Sequence, residues 1–202
     1  MSQEMEADTG DCEIKAPPRE RILTAADDLF RRYGIRGVGV EAIAEAAETN
    51  KMTLYRHYSS KDELVAAWLQ SVVATWVAEW DALDRLPASV PHKKRIDRFL
   101  EAFGDAFERC AERGCAMMNS LAELPEKDHP ARAVLNDYKA ESRKRMIKLF
   151  RECGVAEPAK AAEEIQLLMD GAKSCVQDLG AARSRTRFIQ MAKTLLDGRM
   201  RD

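Results

Sequence analysis

Apolar residues in this chain recur with a period near 3.6, and no stretch alternates convincingly with a period of two. That pattern limits the outcome more than any other feature. A chain without strand-period segments has nothing from which to build a sheet, so the expected class is all-α. Glycine and proline cut the pattern into about nine helices. The first opens after Pro17-Pro18, carries Ile22, Ala25, Ala26, Leu29, Phe30 and Tyr33 on one face, and stops at Gly34. A short helix over 40–47 follows, with Val40, Ile43, Ala44 and Ala47 facing inward. Asn50 is placed to cap a second short helix over 51–58, in which only Leu54 and one face of Tyr58 point toward a core. Ser60 with Glu63 forms a capping box that starts a long helix reaching about residue 86. Further helices are expected over 93–113, 116–124, from Pro130 to Gly154, from Pro158 to Gly180, and over 184–200.

Composition narrows the chemistry. The 202 residues carry a formal net charge of −2, too little positive charge for a protein that coats nucleic acid over its whole surface. The charge is uneven, however. Residues 1–14 hold five acidic groups and no base, whereas residues 15–61 hold nine Lys/Arg against six Asp/Glu. A local basic region on an acidic chain suits a site-specific binder. Residues 1–16 read as a disordered acidic leader, because a secretory signal needs a basic start and an apolar centre. No run of ~18 apolar residues exists, so no membrane span is expected. The five cysteines (Cys12, Cys110, Cys115, Cys153, Cys175) are odd in number and fit no zinc spacing, which suits reduced thiols in a cytoplasmic protein. The three histidines are far apart, so no metal site is expected, and no cofactor motif is present.

The stretch from Gly39 to Lys61 is short helix, tight turn, short helix, the pattern of a helix-turn-helix. Its second helix is polar, aromatic and basic. The major groove admits one helix, which is read through its first turn or two. Lys51, Met52, Thr53 and Arg56 are therefore assigned to base edges. Tyr55, His57, Tyr58 and Lys61 are assigned to the phosphate backbone.

Residues 20–66, above all AIAEAAETNKMTLYRHYSSKDELV, resemble the DNA-binding domain of the tetracycline-repressor (TetR) family. The matching positions are Ile43-Ala44, the turn Glu48-Thr49-Asn50, Thr53-Leu54-Tyr55, Tyr58 and Ser60-Lys61. The resemblance implies DNA contacts at Thr53, Tyr55, His57 and Lys61, with specificity set at Lys51, Met52 and Arg56. It also implies a homodimer on a palindromic operator in double-stranded DNA. Two positions depart from the family's pattern. Gly39 stands where a serine or threonine usually caps the helix and bonds phosphate. Glu48 stands where the turn usually has glycine, and a left-handed backbone there strains a glutamate.

The domain division expected is a helix-turn-helix domain over 17–62 and a helical ligand-binding and dimerisation domain over 63–202, the latter implied by the resemblance. The last two helices suit the dimer contact, since Gly171 and Ala172 allow close approach. A pocket for a small apolar or aromatic ligand is expected within the bundle, lined by Trp76, Trp80, Phe103, Phe107, Met117, Met118, Asn119, Leu121 and Tyr138. Cys115, Asn119 and Glu123 recur every four residues as a polar stripe beside it. The same aromatics at helical spacing also suit a plain core. Cys110 and Cys115 are near enough in sequence to be tied to redox state, although buried structural thiols are commoner. The leading expectation is a DNA-binding regulator, acting as a repressor released by a ligand. The alternatives are a constitutive DNA-binding protein and a helical-bundle enzyme. The last lacks a nucleophile–base set, a phosphate loop and a metal-ligand set.

Overall fold

The computed structural model describes residues 15–110 and 113–200. Residues 1–14 of the expected leader lie outside it, as do residues 111 and 112 near the expected end of the fifth helix. The described residues form ten α-helices: α1 (Pro18–Tyr33), α2 (Val40–Ala46), α3 (Lys51–His57), α4 (Lys61–Asp84), α5 (His92–Asp105), α6 (Ala116–Glu123), α7 (Pro130–Glu152), α8 (Pro158–Ser174), α9 (Val176–Leu179) and α10 (Ala181–Asp197). A 3-10 turn, Ala106–Cys110, follows α5. The class is all-α, and an isolated bridge between Val155 and Met200 is the one strand-like pairing among the described residues. Among them, too, no helix is long and apolar enough to cross a membrane.

Local chemistry sets most helix starts. The Asn50 side chain accepts the Thr53 N–H at 2.8 Å and so opens α3. Ser60 Oγ accepts the Glu63 N–H at 3.1 Å at the start of α4. The return arm of that box goes from the Ser59 N–H to Glu63 Oε2 at 2.9 Å, one residue earlier than the usual pairing. The His129 ring accepts the Ala131 N–H at 3.1 Å ahead of α7, with Pro130 as its first residue.

α4 is the spine. Its first half packs on α1, where Trp68 lies 5.1 Å from the Phe30 ring and its indole N–H donates to Asp27 at 2.6 Å. Its second half packs along α7 and buries Trp76 and Trp80. α7, α8 and α10 form successive layers, and α5 closes against α10.

Three expectations are corrected. Tyr33 is exposed at 59%, because the chain leaves the helix at Gly34 and loop residues Ile35 and Val38 take the buried positions instead. α5 ends at Asp105 rather than running to 113. Gly104 faces α10 so closely that a Cβ there would lie 3.2 Å from Arg185 Cγ and Ile189 Cδ1, and just beyond it the chain tightens into the 3-10 turn. The helix expected from Pro158 to Gly180 breaks at Cys175. α9 is thereby turned off the face that buries Ile165 and Met169, which leaves Cys175 and Leu179 exposed.

Candidate nucleic-acid interface

α2 and α3 are joined by Ala47, Glu48, Thr49 and Asn50. Glu48 is left-handed, with φ 50°, a conformation that favours glycine. The turn is held from α1: Arg21 donates through Nε to the Ala47 carbonyl at 3.0 Å and through Nη2 to the Glu48 carbonyl at 3.2 Å. Lys15 pairs with the Glu48 carboxylate, which lowers that carboxyl's pKa. Gly39 opens α2 in extended backbone and gives no side-chain cap.

On α3, Leu54 is fully buried and fixes the helix to the three-helix core. What remains outside is a connected row. Lys51, Met52, Tyr55, Arg56 and His57 are all exposed, Met52 at 69% and Tyr55 at 40%. Positions i, i+1, i+4 and i+5 share one side of a helix, so Lys51, Met52, Tyr55 and Arg56 form a single face. A large methionine and a tyrosine left in water beside cations are unusual for a surface without a partner. The face is preorganised by weak ties. Lys51 Nζ donates to Glu41 at 2.5 Å, which raises the lysine pKa and lowers that of the carboxyl, and it stands 6.0 Å from the Tyr55 ring. Arg56 Nη2 approaches Met52 Sδ at 3.8 Å.

The other expected contacts sit differently. Thr53 is half-buried, with its N–H spent on Asn50. Tyr58 is a core residue at 4% exposure. Its hydroxyl donates to the Arg19 carbonyl at 3.4 Å and burial raises its pKa, so it does not stand on the exposed face. Lys61 Nζ donates to the Ile35 carbonyl at 2.6 Å, and desolvation lowers its pKa.

A link from this domain to the bundle escaped the sequence reading. The Arg36 N–H donates to Glu123 Oε2 at 2.9 Å, and Arg36 Nε donates to the Glu123 carbonyl at 2.9 Å. Glu123 ends α6. Gly34, at φ 78°, lies so close that a Cβ there would fall 2.6 Å from the Glu123 carboxylate. The α1–α2 loop is therefore clamped by the C-terminal end of α6. Eighty-seven residues separate the partners, so no local pattern could have signalled the pairing. Glu123 is not free to orient a ligand as part of a polar stripe, and Asn119 is likewise turned to the Arg113 carbonyl at 2.8 Å.

The expected ligand pocket is corrected too. Trp76, Trp80 and Phe103 pack on one another, with ring centroids 5.7 Å apart for Trp76–Phe103 and 4.9 Å for Trp80–Phe103. Phe107 packs on Phe188 at 5.3 Å. Trp80 also spends its N–H on Ser142 at 3.1 Å. These rings fill the bundle instead of lining a void. The nine residues expected around one pocket are divided among separate places. Met117, Met118 and Tyr138 border a cavity of about 20 Å³ with Cys115 and Lys173. Trp80 and Tyr138 border an open groove of about 340 Å³ between α4 and α7. Asn119 borders a hollow of about 420 Å³ between α1, α4 and α6. Leu121 is half-buried against the core.

α8 and α10 pack together yet leave apolar groups in water. Leu167 is exposed at 74% and Met191 at 56%, and nothing lies within 4 Å of where a Gly171 Cβ would be. Ala172 is half-buried against its own core.

Residues 22–68 match the model of the tetR family of bacterial regulatory proteins. Over 90 residues the chain is 34% identical to the transcriptional activator FasR of Mycolicibacterium smegmatis, an alignment spanning 45% of this chain and 40% of FasR. Over 60 residues it is 37% identical to the transcriptional regulator RutR of Escherichia coli, covering 30% of this chain and 28% of RutR. The chain thus matches less than half the length of these relatives. Whole-chain likeness comes from solved structures. A TetR-family regulator from Streptomyces coelicolor superimposes with a TM-score of 0.83 at 24% identity, over 91% of this chain and 96% of that one. A TetR-type regulator from Streptomyces avermitilis superimposes with a TM-score of 0.74 at 30% identity, over 91% of this chain and 98% of that one. With the helix-turn-helix matched in sequence and the whole fold matched in space, the chain belongs to the TetR family of bacterial transcriptional regulators.

Proposed function

We propose that the protein binds double-stranded DNA at a palindromic operator as a homodimer and represses transcription until a small apolar or aromatic molecule releases it. The observation that carries the reading is the exposed face of α3, where Lys51, Met52, Tyr55 and Arg56 stand in water over a buried Leu54. Lys51, Met52 and Arg56, with Thr53 at the helix start, meet base edges, while Tyr55, His57 and Lys61 meet phosphates. Residues 17–62 serve as the DNA-binding domain and 63–202 as the dimerising and ligand-sensing domain. The second copy docks on the exposed apolar groups of α8 and α10, Leu167 and Met191 among them, which sets two α3 helices about one turn of DNA apart, about 34 Å.

A second reading drops the ligand, and the filled bundle favours it: the aromatic cluster around Trp80 and Phe103 leaves no room there for a small molecule. On that reading an effector has only the α4–α7 groove or the hollow beside α1, or none acts at all. One experiment separates the readings. DNA bound from a random pool is selected with and without cell extract. Enrichment of a palindrome that extract diminishes supports the ligand-released regulator. Enrichment that extract leaves unchanged supports the constitutive binder. No enrichment overturns both.

A further inference from the structure

α8 buries a charge that its surroundings do not balance. Lys173 is 3% exposed, an uncommon place for a lysine. Its Nζ lies 4.2 Å from the centre of the Trp76 ring. The Arg109 guanidinium stands 4.8 Å from the same ring, but it also has the Glu79 carboxylate at 3.6 Å. Among the described residues the Lys173 ammonium enters no hydrogen bond and no ion pair. A ring face attracts a cation, yet it carries no net charge to neutralise one.

The start of α6 is positive as well. Cys115 is its N-cap residue and gives no side-chain cap hydrogen bond. The Asn119 N–H donates to the Cys115 carbonyl at 2.9 Å. The amides of Ala116, Met117 and Met118 precede it and have no acceptor within the helix. With the helix dipole they favour negative charge.

These two features meet at one cavity of about 20 Å³, bordered by Cys115, Met117, Met118 and Lys173. The other charged side chains on its wall are Lys139 and Asp170, and they pair with each other at 3.9 Å. The wall therefore keeps one positive charge over, beside a helix end of the same sign. A buried charge without a partner is costly. Water fits the space but leaves the charge unbalanced.

We propose that this cavity binds a single halide ion, chloride in ordinary salt, between the Lys173 ammonium and the free amides at the start of α6. The volume admits one particle about the size of water and keeps out carboxylate and phosphate ligands. The ion joins α8 to the start of α6, whose far end, Glu123, holds Arg36 in the α1–α2 loop. The site needs no part of the proposed regulation.

The test uses the full chain, freed of halide by dialysis into sodium gluconate. Chloride then replaces gluconate at constant ionic strength, which holds general screening fixed. The Tm should rise by about 3 °C once chloride exceeds its dissociation constant about tenfold. Bromide should act likewise, and acetate should not. Lys173→Met, which keeps the stem and removes the charge, should abolish the chloride dependence. Crystals of the wild-type protein grown in bromide should show an anomalous peak in the cavity, a measurement that needs no variant to fold. A Tm that chloride leaves unchanged, a chloride dependence that persists in Lys173→Met, or a cavity without a bromide peak overturns the site. So does a thiolate absorbance in gluconate that Cys115→Ser removes, since Cys115 would then be the counter-ion. Equal stabilisation by acetate overturns the selection by size. No readout involves DNA, so failure to select an operator sinks the DNA-binding reading and leaves the ion site to its own melting curves and crystals.

Discussion

The backbone N–H of Arg36 donates to the carboxylate of Glu123 at 2.9 Å, joining the loop before α2 to the end of α6. This bond, with the Arg36 side chain on the Glu123 carbonyl, is a direct route from the bundle to the DNA-facing helices. Glu123→Ala removes the charged acceptor. It should lower stability by roughly 1 kcal/mol in urea denaturation, since the site is partly open to solvent. It should also speed hydrogen exchange at the Arg36 amide while leaving the α7 amides protected. Unchanged exchange at Arg36 would mean that the clamp does not persist in solution.

Glu48 occupies a left-handed position that glycine would fill without strain. Glu48→Gly loses only an exposed pair with Lys15, which contributes little. Its Tm should therefore rise by roughly 2–4 °C. DNA binding should also tighten as a carboxylate leaves the side facing phosphate. A lower Tm would show that the pair with Lys15 outweighs the strain.

Phe103 is fully buried among Trp76, Trp80 and Phe99. If those rings are core, Phe103→Ala should cost roughly 3–5 kcal/mol in urea denaturation. A loss near zero would point instead to a void at that place.

Leu167 presents an isobutyl group to water on α8. Leu167→Glu should yield monomers in sedimentation while leaving the thermal unfolding of the protomer nearly unchanged, because the side chain makes little of its own core. A dimer that survives the substitution places the contact elsewhere. Leu167 is a sharper probe than Ala172, which is half-buried against its own subunit.

These cases also show what a sequence reveals of such a fold. Caps and stops were legible because they are local: Asn50 bonds Thr53 three residues on, and Gly34 and Gly180 hold the positive φ that ends a helix. The exposed row on α3 was legible for the same reason, since only Leu54 and one face of Tyr58 had the spacing to be buried. The place of Tyr58 was less legible because its ring and hydroxyl pull opposite ways, and its hydroxyl reaches the distant carbonyl of Arg19. The end of α5 falls beside the close approach of Gly104 to Arg185 and Ile189 of α10, which no local pattern reports. Periodicity also cannot tell a ring that lines a void from one that fills it. Only the packing of Trp80 on Phe103 in the fold decides between them.

The central claim is that the exposed face of α3 reads bases. The most direct measurement is the ratio of affinities, by fluorescence anisotropy at fixed salt, for a selected operator and a scrambled duplex. Wild type is compared with Arg56→Ala, whose substitution lies on the exposed face and removes no core contact. The account predicts that Arg56→Ala loses about 1–3 kcal/mol on the operator and far less on the scrambled duplex, so the ratio collapses. An Arg56→Ala protein that keeps the wild-type ratio would contradict it.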